Sequence, residues 1–140
     1  ISPIIATLTH VSFTYVLLIP QQQRSTLFPY TRSSDLKRSY ERLNGVDAIL
    51  IAIATEAIKE SPYDFGIPRS GGMRTEEEQY KLYLKGRSRA DGFKKKSYHQ
   101  TGKAFDIFAY VDGNASWDKE HLTEIEKHII KVAKDKFNVD

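Results

Sequence analysis

The sequence predicts an α+β domain in which a small antiparallel sheet packs with helices. Two observations support this fold class. Apolar residues recur at helical spacing in residues 47–60 and 118–136, whereas residues 103–111 alternate as a strand does. The predicted order is helix, helix, strand, helix, strand, helix, which is typical of an α+β domain. A chain of 140 residues is long enough for one domain with one core.

The composition narrows the function classes. The sequence has no cysteine, so thiolate zinc sites, disulfides and a cysteine nucleophile are excluded. The formal net charge of +3 is a weak bias toward anionic partners such as wall polymers or nucleic acid. The apolar run at residues 11–20 is too short to span a membrane and lacks the features of a signal peptide.

Residues 1–36 differ from the rest because they show no sustained period and no helix caps. Residues 25–36 look like a translated sequencing-adapter oligonucleotide. We therefore expect residues 1–36 to be a non-native or disordered leader, with a natural disordered leader as the alternative. Residues 37–140 are expected to form the folded domain.

The first half of this domain has clear helix signals. Residues 36–43 predict a short polar helix that Asn44 and Gly45 end. Residues 47–60 predict a second helix, capped by Asp47 and largely buried. Residues 63–68 predict a short strand, and a turn follows at residues 70–72.

A third helix is predicted to begin at Thr75, where Glu78 completes a capping box, and to end at Gly86. Its expected buried stripe comprises Tyr80, Tyr83 and Leu84. Residues 87–98 predict a polar, basic loop, and residues 112–115 a turn. The last helix, at residues 118–136, carries one apolar side made of Leu122, Ile125, Ile129, Val132 and Ala133.

The strand at residues 103–111 contains one unusual residue, Asp106. Alternation places an apolar set on one face, namely Phe105, Ile107, Ala109 and Val111. Asp106 is the only charge within the opposite face, and a buried unpaired carboxylate is very costly. Its partner is either a zinc ion shared with His99 or an arginine in a buried salt bridge. The spacing alone leaves both alternatives open.

Other candidate residues lie near this strand. His99 stands in a polar turn, where Ser97 can hydrogen-bond and Gly102 permits a tight bend. Arg74 follows a Gly-Gly turn and could stabilise an oxyanion, pair with Asp106, or be a surface charge. His121 and His128 lie roughly 10 Å apart on one helix, so they cannot both bind one zinc.

Several motifs together carry a resemblance. The core pattern is Ser-x-His-x-x-Gly-x-Ala-x-Asp, from Ser97 to Asp106. Upstream stands Ser-Gly-Gly-x-Arg-Thr at residues 70–75, followed by Gln79. Gly-Arg at residues 86–87 and Ser-Trp-Asp at residues 116–118 complete the set. In this order the motifs resemble the zinc D,D-carboxypeptidase and L-alanyl-D-glutamate endopeptidase family (VanY-like), in its phage endolysin branch, over roughly residues 43–140.

The resemblance implies a Hedgehog/D,D-peptidase-like fold and a zinc-dependent hydrolase of peptidoglycan stem peptides. It implies His99 and Asp106 as zinc ligands, Arg74 as the catalytic group that stabilises the carbonyl oxygen, and Ser97 and Gln79 as substrate-binding residues. We expect a monomer that acts on the cell wall, as a phage lysis protein or a secreted or periplasmic enzyme, without nucleic-acid or membrane partners.

The family pattern also contains a third zinc ligand, a histidine, and an acidic general base near its C-terminus. Neither is found before Asp140, so we expect a C-terminally truncated domain that binds zinc weakly and has little activity. One alternative is a non-catalytic module that binds cell-wall peptide. Another is a basic nucleic-acid-binding domain that uses residues 85–96, although these residues include few aromatics and no nucleic-acid motif.

Overall fold

The computed structural model describes residues 4–5 and 31–140 of the chain. The helices are α1 (Thr31–Arg42), α2 (Ala48–Ala57), α3 (Glu76–Leu84) and α4 (Lys119–Phe137), with a 3₁₀ turn at Tyr98–Thr101. The strands are β1 (Ile4–Ile5), β2 (Asp64–Gly66), β3 (Ala104–Phe105), β4 (Phe108–Val111) and β5 (Asn114–Ser116). Within the described part of the chain, no helix is both long and apolar enough to cross a membrane.

The sheet is small and antiparallel, as the sequence predicts. Strand β4 lies in the centre, with β2 and β5 on its two sides, and Ala109 pairs with both Phe65 and Ser116. Strands β1 and β3 form a separate antiparallel pair. Together with the helices, this sheet confirms the predicted α+β class.

The core lies between α2, α4 and the sheet. Phe105, Leu50, Ile53, Ile125 and Ile129 are all essentially inaccessible to solvent. The predicted stripe of α4 is confirmed, because all of its members are buried. The predicted apolar face of the strand region also packs into this core, since Phe105, Ile107 and Ala109 are buried there.

The predicted single strand at residues 103–111 is wrong in one respect. It is interrupted at residues 106–107 and so forms β3 and β4. The reason is that the Asp106 N–H donates to the carbonyl of Gly71 at 2.8 Å instead of joining a strand ladder. This bond ties the carboxylate-bearing residue to the turn that precedes Arg74.

The prediction of a buried stripe on α3 is wrong. Tyr80, Tyr83 and Leu84 are exposed, and Gln79 is the buried residue of this helix. The exposed rings pack on one another, since Tyr80 contacts both Tyr83 and Phe93. The predicted capping box between Thr75 and Glu78 is present at the start of the helix.

Three local features, a helix start, a helix cap and a turn, also differ from the prediction. Helix α1 begins at Thr31, earlier than the predicted residue 36. Asp47 stands at the N-cap of α2, but its side chain makes no capping bond, and its backbone N–H donates to Gly102. Residues 112–115 are not only a turn, because Asp112 and Gly113 have positive φ and connect β4 to β5 as a hairpin.

The expectation that residues 1–36 form a non-native leader falls mostly outside the described residues. It stays a prediction.

Candidate functional site

The site forms where the turn at residues 70–74 meets the 3₁₀ turn that carries His99. The Arg74 N–H donates to the His99 carbonyl at 3.2 Å, so the two segments are joined through their backbones. Gly72 is required in the first turn, because a Cβ there would collide with the carbonyl oxygen of Arg42 at the end of α1. The backbone bonds from Arg74 to His99 and from Asp106 to Gly71 bring Arg74, His99 and Asp106 together.

A reciprocal cap holds the 3₁₀ turn. The Ser97 hydroxyl accepts from the His99 N–H, and the Gln100 side chain accepts from the Ser97 N–H at 2.8 Å. Gly102 ends the turn with φ +73°, and its carbonyl accepts from the Asp47 N–H at the start of α2. Ser97, predicted to bind substrate, therefore also fixes the backbone that carries His99.

The His99 ring is oriented by contacts on both of its nitrogens. Its side chain is only 4% exposed. Nδ1 lies 3.0 Å from the Gly72 carbonyl oxygen, and Nε2 lies 3.4 Å from Asp106 Oδ1. Because a carbonyl can only accept, Nδ1 donates its proton to the Gly72 carbonyl, and Nε2 is the nitrogen that faces the carboxylate.

Asp106 has a different partner on each oxygen. Oδ2 pairs with Arg74 Nη2 at 2.7 Å, while Oδ1 faces His99. The arginine partner that the sequence left open is thus present, and the other oxygen still faces the histidine. Burial lowers the pKa of the Arg74 guanidinium below its ordinary value, although Asp106 acts in the opposite direction. An arginine nevertheless stays charged in proteins.

Gln79 fixes the remaining side of Arg74. Its Oε1 accepts from Arg74 Nη1 at 3.3 Å, and its Nε2 donates to the Ser88 hydroxyl and the Ala90 carbonyl. Gln79 is fully buried. The structure therefore places this predicted substrate-binding residue behind Arg74, with both ends of its amide bonded to the protein.

A cleft of about 270 Å³ opens beside Arg74 and Asp106. Its other walls are formed by Pro68, Ser70, Leu82, Arg87 and Trp117. The exposed Trp117 ring stacks on Phe108 with centroids 5.6 Å apart. Asp106 lines this cleft, whereas His99 lies behind Asp106 and does not. A smaller cavity of about 30 Å³ between α1 and α2 is lined by neither residue.

The other described histidines have structural contacts. His121 Nδ1 lies 2.9 Å from the Ser116 hydroxyl, and its ring packs on Tyr63. His128 Nε2 lies 3.0 Å from the Ala57 carbonyl oxygen. Among the described residues, no group of three or more His, Asp or Glu side chains could hold a metal ion. His99 and Asp106 thus stand as a pair of candidate ligands in that part of the chain.

Comparison with known proteins identifies the family. The family of phage L-alanyl-D-glutamate peptidases matches residues 34–139, and the chain belongs to this family. This match confirms the predicted resemblance to the L-alanyl-D-glutamate endopeptidase family in its phage branch.

A solved structure supports the same assignment. The L-Ala D-Glu endopeptidase ChiX of Serratia marcescens is similar, with a TM-score of 0.61 and 28% sequence identity. The match covers 70% of this chain and 69% of that protein. No curated protein sequence matches this chain significantly.

Proposed function

We propose that the cleft is the active site of a zinc-dependent peptidase that hydrolyses the L-Ala–D-Glu bond of peptidoglycan stem peptides. Family membership supports the bond and the substrate class. The observation that carries the zinc proposal is the arrangement of His99 Nε2 opposite Asp106 Oδ1 at 3.4 Å. This family assignment also favours the endopeptidase over the D,D-carboxypeptidase alternative.

The donor atoms of the pair suit zinc. Histidine nitrogen and carboxylate oxygen are ordinary zinc ligands. A metal-binding histidine usually donates its second ring N–H to a carbonyl or carboxylate, which fixes the tautomer, and the Gly72 carbonyl occupies that position for His99. Arg74 holds the Asp106 carboxylate by Oδ2, so that Oδ1 is left for the ion.

The number of ligands sets the expected activity. A catalytic zinc usually has three protein ligands, and the described residues offer His99 and Asp106. The third ligand and the acidic general base would then come from outside the described residues. For the chain of 140 residues, we propose weak zinc binding and little or no peptide cleavage.

The protein's own residues have distinct roles in this proposal. Zinc, when bound, activates a water molecule and polarises the scissile carbonyl. Arg74 lines the cleft, and its fixed guanidinium stabilises the carbonyl oxygen as negative charge develops there. Gln79 and the Ser70 carbonyl keep that guanidinium in place, since both accept hydrogen bonds from it.

Zinc titration of the whole chain tests the proposal. The zinc affinity is measured by competition with a chromophoric chelator. His99→Ala and Asp106→Asn are each expected to weaken binding by roughly tenfold or more, because each removes one of two ligands. His121→Gln and Asp135→Asn are matched controls and should leave it unchanged. Equal affinity in all five proteins would overturn the zinc assignment.

A second candidate function is a non-catalytic module that binds wall peptide. The presence of only two candidate ligands among the described residues favours it. The two functions differ in what zinc does. A binding module would hold stem peptide with the same affinity in zinc, in chelator and in the His99→Ala variant. Peptide affinity that increases with zinc in the wild-type chain, and not in the His99→Ala variant, would exclude it.

A further inference from the structure

The cleft contains a second guanidinium, that of Arg87, which forms no ion pair among the described residues. Arg74 lines the same cleft, but it is paired with Asp106. The Arg87 side chain is exposed and makes no hydrogen bond or ion pair with any residue in the described part of the chain. The charged groups that line the cleft therefore leave one excess positive charge, which favours an anionic ligand.

The backbone of Arg87 is held by a hydrogen bond, although its side chain has no partner in the described part of the chain. Its N–H donates to the Leu82 carbonyl at 2.9 Å, directly after the turn that Gly86 makes with φ +69°. This bond fixes the start of the Arg87 side chain at the end of α3. A planar guanidinium with free N–H groups matches the geometry of a carboxylate and can bind it by two hydrogen bonds.

The neighbouring walls of the cleft are apolar. Trp117 is 54% exposed, although it is a large ring stacked on Phe108. Leu82 and Pro68 line the same cleft. A cleft with one free cation and several apolar groups suits a short peptide that has small side chains and one carboxylate.

The proposed substrate has such a carboxylate next to the scissile bond. Glutamate has two carboxyl groups, and only one of them can continue the peptide. In stem peptides the chain continues through the side-chain carboxyl, so the α-carboxylate stays free. A negative charge therefore lies on the residue that contributes the nitrogen of the bond that is cut.

We propose that Arg87 binds this free α-carboxylate of D-glutamate and that Trp117 packs against the same residue of the substrate. Arg87 is then a specificity-determining residue, because an amide in place of the carboxylate removes the ion pair. This inference rests on the proposed function, since that function supplies the peptide. It requires neither zinc nor cleavage.

Peptide binding can be measured directly, because Trp117 is the one tryptophan of the sequence. The probes are N-acetyl-L-Ala-D-Glu with its side-chain carboxyl blocked as a methylamide, and the same peptide with its α-carboxyl as a primary amide. Each is titrated into the whole chain while tryptophan fluorescence is recorded, and isothermal calorimetry provides a second readout. All titrations are done in chelator and repeated with zinc.

The wild-type chain is expected to bind the acid at least about tenfold more tightly than the amide. Arg87→Gln should lower affinity for the acid to that for the amide, and Arg87→Lys should restore part of the difference. Arg89→Gln is the matched control and should keep the full preference. Circular dichroism establishes that the variants are folded. We expect each of them to keep the wild-type structure, because the substituted side chains are exposed.

Equal binding of the two peptides by the wild-type chain would overturn the proposal. A preference for the acid that survives in Arg87→Gln would also overturn it, as would failure of both peptides to bind at millimolar concentration. These outcomes differ from failure of the zinc assignment, which is measured without peptide at His99 and Asp106. Loss of zinc binding alone leaves the acid-over-amide preference in place.

Discussion

Arg74 is held by three acceptors that come from three parts of the chain. They are the Ser70 carbonyl, the Gln79 amide oxygen and the Asp106 carboxylate. Asp106 in turn faces His99 through its other oxygen. These partners hold the guanidinium in one position, which suits the role proposed above, the stabilisation of a developing negative charge.

Gln79 is the residue whose removal tests this network most simply. In Gln79→Leu, the buried Ala90 carbonyl, the Ser88 hydroxyl and Arg74 Nη1 each lose a partner. We expect the free energy of unfolding to fall by about 1–3 kcal/mol. Urea denaturation measures it. Glu77→Ala, on the exposed side of the same helix, is the control, and a Gln79→Leu chain as stable as this control would contradict the network.

His99 and Asp106 were predictable from the sequence because a carboxylate within an apolar strand needs a partner. The position of Gln79 was not predictable in this way. Gln79 is buried because its amide donates hydrogen bonds to the Ser88 hydroxyl and the Ala90 carbonyl in the loop that follows α3. Helical periodicity does not report such contacts. The same limit explains why Tyr80 was expected inside and lies outside.

At the scale of elements, α2 and α4 form the central helix pair of the molecule. Their apolar sides share the core, and Glu56 of α2 links them at the surface. The Glu56 carboxylate contacts Lys136 of α4 at 2.6 Å and Lys59 at 2.7 Å. Hydrogen bonds from Lys136 and then Lys59 lower the pKa of Glu56 below its ordinary value.

This lowered pKa predicts a pH dependence of stability. A carboxyl group whose pKa is lower in the folded state stabilises the fold above its unfolded pKa, about 4.3, and loses this effect as pH falls through the folded value. Wild type should therefore be more stable than Glu56→Gln at pH 7, with the difference in melting temperature shrinking as pH falls below about 4.3 and disappearing below the folded-state pKa of Glu56.

The matched control for this prediction is Glu124→Gln. Its carboxylate pairs with Lys127 inside a single helix, and both side chains are more exposed than Glu56. We expect a smaller change in melting temperature at pH 7 than for Glu56→Gln, because exposed pairs contribute little. A Glu56→Gln effect that grows toward acidic pH would contradict the assignment.

Elements with strong local signals were predicted well. Helix α4 has its apolar stripe and begins after Asp118, and α3 has its capping box. The break between β3 and β4 had no local signal, because it depends on the Gly71 carbonyl, a residue far away in the sequence. The hairpin between β4 and β5 did have a local signal, because Asp112-Gly113 is a common two-residue hairpin turn.

At the scale of the whole molecule, the core places the turn at residues 70–74 beside the 3₁₀ turn that carries His99. The helices and the sheet bury Phe105 and Ile107 on either side of Asp106, so the carboxylate position is fixed by packing. Family membership over residues 34–139 agrees with this arrangement. For this peptidase-family domain, the proposal that matters most is that His99 and Asp106 bind zinc.

Zinc binding by His99 and Asp106 is tested by ¹⁵N NMR of the histidine rings during a zinc titration of the whole chain. Without zinc, we predict that His99 carries its proton on Nδ1, since the Gly72 carbonyl accepts from it. Added zinc should shift the His99 Nε2 resonance, and Asp106→Asn should weaken the response. A zinc-induced shift confined to the other three histidines of the sequence, with no change at His99, would overturn the proposal.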